Sequence, residues 1–223
     1  MPRMGLTPER VVAVAVELAD RSGPQDLSLA DLASHLGVRV PSLYKHVGGL
    51  DDLRQQVADV GMAGLAAAVG RAADGRQGRD ALVSLAQAYR RFARIHPGQY
   101  RALVRASGPG TAHFEDAQRI TQVISRVVGD YKLNRDVSAD AVRMIRSSLH
   151  GFASLEAVGG FGRSASVEAS FYSMIATLDH ALGGSTAPAK SLGGGWLARC
   201  KSLAGWAPRG GSALLGSLLR PIR

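Results

Sequence analysis

Residues 29–48 read LADLASHLGVRVPSLYKHVG, and the fold turns on how that stretch is parsed. Leu32, Leu36, Val38, Leu43 and Val47 are apolar where two short helices would bury a shared seam. Ala33 is small where the helices cross at close range, and Gly37, four residues on, can take the positive φ of a tight turn. Pro41 opens the second helix without giving up a needed donor. Ser28 with Asp31 makes a capping box ahead of the first. The spacing predicts helices over Ser28–Leu36 and Pro41–His46, a helix-turn-helix. Arg39, Val40, Ser42, Tyr44, Lys45 and His46 are then expected to face outward, a polar and aromatic surface suited to a major groove and its phosphates. The plain alternative is an αα-hairpin of no special purpose, which can show the same small residue and glycine.

Outward from this window the chain reads as helices punctuated by Gly and Pro, with no convincing strand. A first helix is expected over 8–21, with Thr7 as N-cap and Pro8 at its first position. Later helices are expected over Leu50–Arg71, 79–95, Tyr100–Ala106, 112–129, 138–157 with Ser138 as N-cap, and 166–182 with Ser166 as N-cap. His96-Pro97-Gly98 reads as a sharp stop. The sum is an all-α protein of about nine helices, an N-terminal three-helix unit followed by a larger helical body.

The 223 residues carry 27 Lys+Arg against 18 Asp+Glu, a net charge of +9, but the excess is unevenly placed. Residues 1–60 hold six basic and eight acidic groups, whereas residues 185–223 hold six basic and none acidic. The predicted groove-reading unit is therefore slightly acidic, and bulk charge is not the argument for nucleic acid. The division expected is 1–50, 51–184 and a basic Gly-rich tail over 185–223. The tail reads as a disordered extension, with a nucleic-acid clamp or an anionic-membrane contact as alternatives. One cysteine, Cys200, excludes an intramolecular disulfide framework. The longest uncharged run is eleven residues, Val60–Gly70, so no membrane span is expected, and a cytoplasmic setting is the default.

Val40-Pro41-Ser42-Leu43-Tyr44-Lys45-His46-Val47, followed by Leu50-Asp51-Asp52-Leu53, resembles the TetR family of transcriptional regulators. His96-Pro97-Gly98-Gln99-Tyr100 and Leu149-His150-Gly151-Phe152 are similar to the ligand-domain class named for a Trp-His-Gly motif, although no tryptophan precedes His150. The resemblance implies a third helix lying in the major groove. It also implies a fourth helix linking this reader to a ligand-binding and dimerisation domain, and a homodimer bound to a (pseudo)palindromic double-stranded DNA operator under a small-molecule effector. On this chain it makes Thr7, Ser28, Arg39, Val40, Pro41, Ser42, Tyr44, Lys45 and His46 the DNA-contacting candidates. It makes the last two helices, with Leu149, Leu155, Phe171, Met174, Ile175 and Leu178, the dimer-interface candidates. Gly48-Gly49-Leu50 stands where the family usually carries a phosphate-contacting lysine. The alternative reading is therefore a helical small-molecule-binding protein that has lost specific DNA binding.

Met62, Phe92, Leu103, Phe114, Met144, His150 and Phe152 are candidates to line an apolar pocket between helices, plain core being the competing reading. The arginines at 90, 91, 94, 101 and 105 read as solvated helix faces. The six histidines show no metal-ligand spacing and read as solvated or capping, with His96 serving the C-terminus of its own helix. No catalytic constellation, cofactor loop or metal motif is found, so neither an enzyme nor a cofactor is expected.

Overall fold

The computed structural model describes residues 6–103, 110–162 and 166–183, and among these the regular structure is nine α-helices with no strand. They are α1 (Pro8–Ser22), α2 (Leu29–Leu36), α3 (Val40–Leu43), α4 (Leu50–Ala73), α5 (Gly78–Ile95), α6 (Pro97–Ala102), α7 (Ala112–Gly129), α8 (Arg135–Ala157) and α9 (Val167–Gly183). Arg105, Cys200 and the tail over 185–223 lie outside the described residues. No described helix is long and apolar enough to cross a membrane.

Local chemistry starts and stops these helices as the sequence predicts in most places. Thr7 Oγ1 accepts from the Arg10 N–H (3.3 Å), and Ser166 Oγ from the Ala169 N–H (3.2 Å). Boundaries differ by three residues or more in three helices. α8 begins three residues earlier than expected, because Asn134 Oδ1 accepts from the Val137 N–H (2.9 Å) and caps the helix ahead of Ser138. α6 begins at Pro97, which starts a helix here, its fixed φ fitting the first position. α3 is a single turn, not Pro41–His46: beyond Leu43 the N–H groups of His46 and Val47 both return to the Leu43 carbonyl (2.8 and 3.0 Å), closing the segment as a turn before Gly48-Gly49.

Two apolar clusters hold the helices. The first joins Val11 and Leu18 of α1, Leu32 of α2 and Leu43 of α3 to Leu53 and Val57 of α4. The second joins Leu65 and Val69 of α4 to Leu82 and Leu85 of α5, Ile124 of α7, Ile145 and Leu149 of α8 and Phe171 and Ile175 of α9. Two helices serve both. α4 passes through them in turn, and short α6 puts Ala102 into the first and Tyr100 into the second.

The inward face of the last two helices overturns most of the expected dimer surface. Leu149, Phe171, Ile175 and Leu178 are buried in the second cluster of their own protomer. Their periodicity marks the intrachain core, and helical spacing alone cannot tell one partner from another. Leu155, half exposed at 50%, and partly buried Met174 remain at or near the surface, and Tyr172 of α9 is 43% exposed.

Candidate nucleic-acid interface and cavity

The turn between α2 and α3 is made by backbone geometry that only certain residues allow. Gly37 sits at φ 67°, ψ 32°, its N–H bonded to the Ser34 carbonyl (3.2 Å), while the Val38 N–H reaches the Ala33 carbonyl (3.0 Å). These two bonds form a Schellman ending, which satisfies the last carbonyls of α2 and swings the chain into α3. Ser28 Oγ accepts from the Asp31 N–H (3.0 Å) and donates to the Asp31 carboxylate (2.7 Å), so the expected capping pair is present in a modified form.

On the outer surface Tyr44 is 60% exposed, and Arg39, Pro41 and Lys45 are exposed beside it. Ser42 and His46 are half-buried. Val40 does not face outward as expected; as the first residue of α3 it is partly buried and packs against the first apolar cluster. Thr7 and Ser28 stand at the N-termini of α1 and α2, where free backbone N–H groups gather. Behind this surface the Arg54 guanidinium of α4 donates to the carbonyls of Pro24 (3.2 Å), Gln25 (2.7 Å) and Leu27 (3.4 Å), tying down the loop before α2. Gly48, where a lysine was expected, gives its N–H to Asp52 Oδ2 (2.8 Å) and helps open α4.

A cavity of about 310 Å³ lies among the helices of the larger body. Met62 and Leu65 of α4, Tyr89 of α5, Leu103, and Ala117 and Ile120 of α7 form its apolar walls; Arg143, Arg146, Ser147 and His150 of α8 form its polar side. Of the pocket candidates, Met62, Leu103 and His150 meet here. Phe92 lines a different concavity, a groove of about 670 Å³ along α4 and α5 that also takes in Arg71, Arg76 and Arg91. Phe152 is core, in edge-to-face contact with Phe171 (centroids 5.2 Å apart), while Phe114 is half-buried and Met144 is 38% exposed outside both. The smaller cavity is the more convincing binding site, because apolar walls converge there with a few polar groups.

His150 shares a hydrogen bond of 2.9 Å with the Tyr100 hydroxyl of α6. Partial burial, then the positive charge of Arg146, hold the His150 pKa below its ordinary 6.5. Burial pushes the neighbouring Tyr89 and Tyr100 hydroxyls above the usual phenol range, so both are neutral donors at pH 7.

The first turn of α6 is bonded to α1. Asp20 Oδ1 accepts the N–H groups of Gly98 (2.8 Å) and Gln99 (2.9 Å), and its Oδ2 accepts from Gln99 Nε2 (2.7 Å). His96 Nδ1 lies 3.4 Å from the same carboxylate, so this side chain faces α1 in addition to ending its own helix. A Cβ built on Gly98 would lie 1.9 Å from the Ala19 carbonyl oxygen; the two backbones touch directly.

Two polar residues contradict the solvated reading. Arg90 is only 6% exposed: Nε and Nη2 bind Glu156 bidentately (both 2.7 Å), Nη1 binds Glu168 (2.6 Å), and the guanidinium lies 4.6 Å from the centroid of Phe171. His113 is buried, and its Nδ1, 3.4 Å from Asp59 Oδ1, has no hydrogen-bond partner among the described residues. Among the described residues no group of three or more metal-ligating side chains could hold a metal ion.

A reader of two short helices on a long α4, joined to a helical body with an internal cavity, defines a helix-turn-helix transcriptional regulator. Residues 82–178 match the Tetracyclin repressor-like, C-terminal domain family. The chain is 35% identical over 162 residues to the uncharacterized HTH-type transcriptional regulator YobS of Bacillus subtilis, covering 73% of this chain and 85% of YobS. It is 33% identical over 156 residues to the uncharacterized HTH-type transcriptional regulator Rv0681 of Mycobacterium tuberculosis, covering 69% of this chain and 72% of that one. Among solved structures, a TetR variant from Acinetobacter baumannii AYE in complex with minocycline superposes with a TM-score of 0.63 at 19% identity, over 82% of this chain and all of that one. The chain belongs to the TetR family of HTH-type transcriptional regulators, whose members are not enzymes.

Proposed function

We propose that the chain is a ligand-responsive repressor that binds a (pseudo)palindromic operator as a homodimer, with its effector in the 310 Å³ cavity. The observation that carries this reading is the position of α6. Its Tyr100 is bonded to His150 of the cavity wall, and its first turn is bonded to α1 of the reader through the Gly98 and Gln99 N–H groups on Asp20. An effector that displaces His150 or Tyr100 acts on a helix already bonded to the reader. It then favours a dimer in which the two reader helices no longer match successive major grooves, a population shift set by its differential affinity. A small molecule bound to a fold neighbour, minocycline in the Acinetobacter TetR variant, supports the same use of the architecture.

Arg39, Tyr44 and Lys45 carry the direct contacts in this reading, with Pro41, Ser42 and His46 beside them and the N-termini at Thr7 and Ser28 meeting phosphates. Dimerisation uses the outer faces of α8 and α9 around Leu155, Met174 and Tyr172. The test is operator selection from random DNA followed by a gel shift. Tyr44→Ala should abolish the specific complex while sedimentation still reports a folded dimer. Full specificity retained by Tyr44→Ala overturns the assignment of the reader helix, and absence of any selected sequence favours the small-molecule-binding alternative.

A further inference from the structure

The cavity has two chemically distinct sides. Met62, Leu65, Leu103 and Ile120 give it an apolar floor, whereas its charge comes from one face of α8, Arg143 and Arg146 with His150 a turn beyond. Among the described residues no carboxylate lines it. Arg143 is paired with Asp140 (2.7 Å), but Arg146 has no carboxylate partner among the described residues. Its charge is nonetheless felt inside the site, disfavouring protonation of His150. The described residues therefore place the exposed Arg146 charge beside an apolar cavity with no carboxylate paired to it.

We infer that the cavity takes an apolar carboxylate, its head group on Arg146 and its hydrocarbon or aromatic body against Met62, Leu65 and Ile120. The inference rests on reading this cavity as the effector site. A planar guanidinium presents parallel N–H donors that match a carboxylate bidentately, which a neutral analogue of the same shape cannot use. A cationic ligand is repelled by Arg146, whose charge no carboxylate among the described residues offsets. At about 310 Å³ the space suits a body of about a dozen non-hydrogen atoms, at the small end of ligand sites.

The experiment titrates the full chain calorimetrically with 2-naphthoate, decanoate and the neutral isostere 2-naphthamide. The carboxylates should bind about tenfold or more tighter than the amide. Arg146→Gln should remove that advantage and leave amide binding unchanged, and Arg146→Lys should restore part of it. Met62→Trp, or the milder Ala117→Leu should Met62→Trp fail to fold, fills the cavity and should remove both kinds of probe. Equal affinity for acid and amide, or an Arg146→Gln protein that binds naphthoate as before, overturns the inference. If those probes are still lost on filling the cavity, the effector-site reading stands. Probes indifferent to filling overturn both. Failure of both carboxylates to bind at about 1 mM overturns the inference as well.

Discussion

The Tyr100 hydroxyl and His150 Nδ1 lie 2.9 Å apart, joining α6 to α8 beside the cavity. The contact sits where burial and Arg146 both disfavour a charged imidazole. His150 should accordingly titrate below 6.5 in the folded protein, by NMR of its ring protons. The sign follows: as pH falls through 6.5 the unfolded chain takes up this proton before the folded one, so stability declines on acidification. His150→Gln should flatten that decline, and an unchanged pH profile would remove His150 as its source.

Gly98→Ala tests the α1–α6 joint. The new methyl would meet the Ala19 carbonyl at 1.9 Å, and a backbone atom cannot swing aside as a side chain can. The expected loss is about 2–4 kcal/mol by urea unfolding, at or above the upper end for overpacking. Operator affinity should fall with it; an unaffected gel shift would show that the joint is not coupled to the reader.

The buried Arg90 cluster predicts graded costs. Arg90→Met strips both partners and leaves Glu156 largely enclosed, at about 2–4 kcal/mol, below the extreme for buried pairs because Glu168 is more than half exposed. Glu168→Gln should cost under about 1 kcal/mol. The Arg90 hydrogen bonds hold the Glu156 carboxyl below its ordinary 4.5. That stabilisation is present at neutral pH and is lost as pH falls below 4.5 through the depressed value. A double-mutant cycle across Arg90 and Glu156 would measure the coupling, and additive losses would refute it.

At Gly37 the cost should be conformational alone. A Cβ there meets nothing within 4 Å, yet φ is +67°. Gly37→Ala should lose about 1 kcal/mol and Gly37→Asn less, by thermal unfolding. A loss of several kcal/mol would point to a contact the open space does not contain.

What the sequence could disclose was set by how local the governing interactions are. Gly37, Ala33 and Pro41 act within a few residues of their partners, so the turn of the reader was legible from spacing. The length of α3 was not: the closure at Leu43 depends on turn bonds that no propensity announces, and Val40 packs inward where an outward residue was expected. The α1–α6 joint was hidden for a different reason, since Asp20 and Gly98 are 78 residues apart. Arg90 was misread on the ordinary expectation that arginine is exposed, its acids lying 66 and 78 residues away. Leu149 and Phe171 show the limit of periodicity: it identifies the apolar side of a helix but not whether that side meets its own chain or another.

Direct contact between the Gly98 and Ala19 backbones has a mechanical consequence. Side-chain contacts are compliant, because rotamers can absorb a displacement of a few tenths of an ångström. Two main chains in contact have no such slack, and the three hydrogen bonds to Asp20 resist separation as the contact resists compression. Across this joint α6 and α1 have little room to move independently, so a displacement of one is expected to carry the other with it.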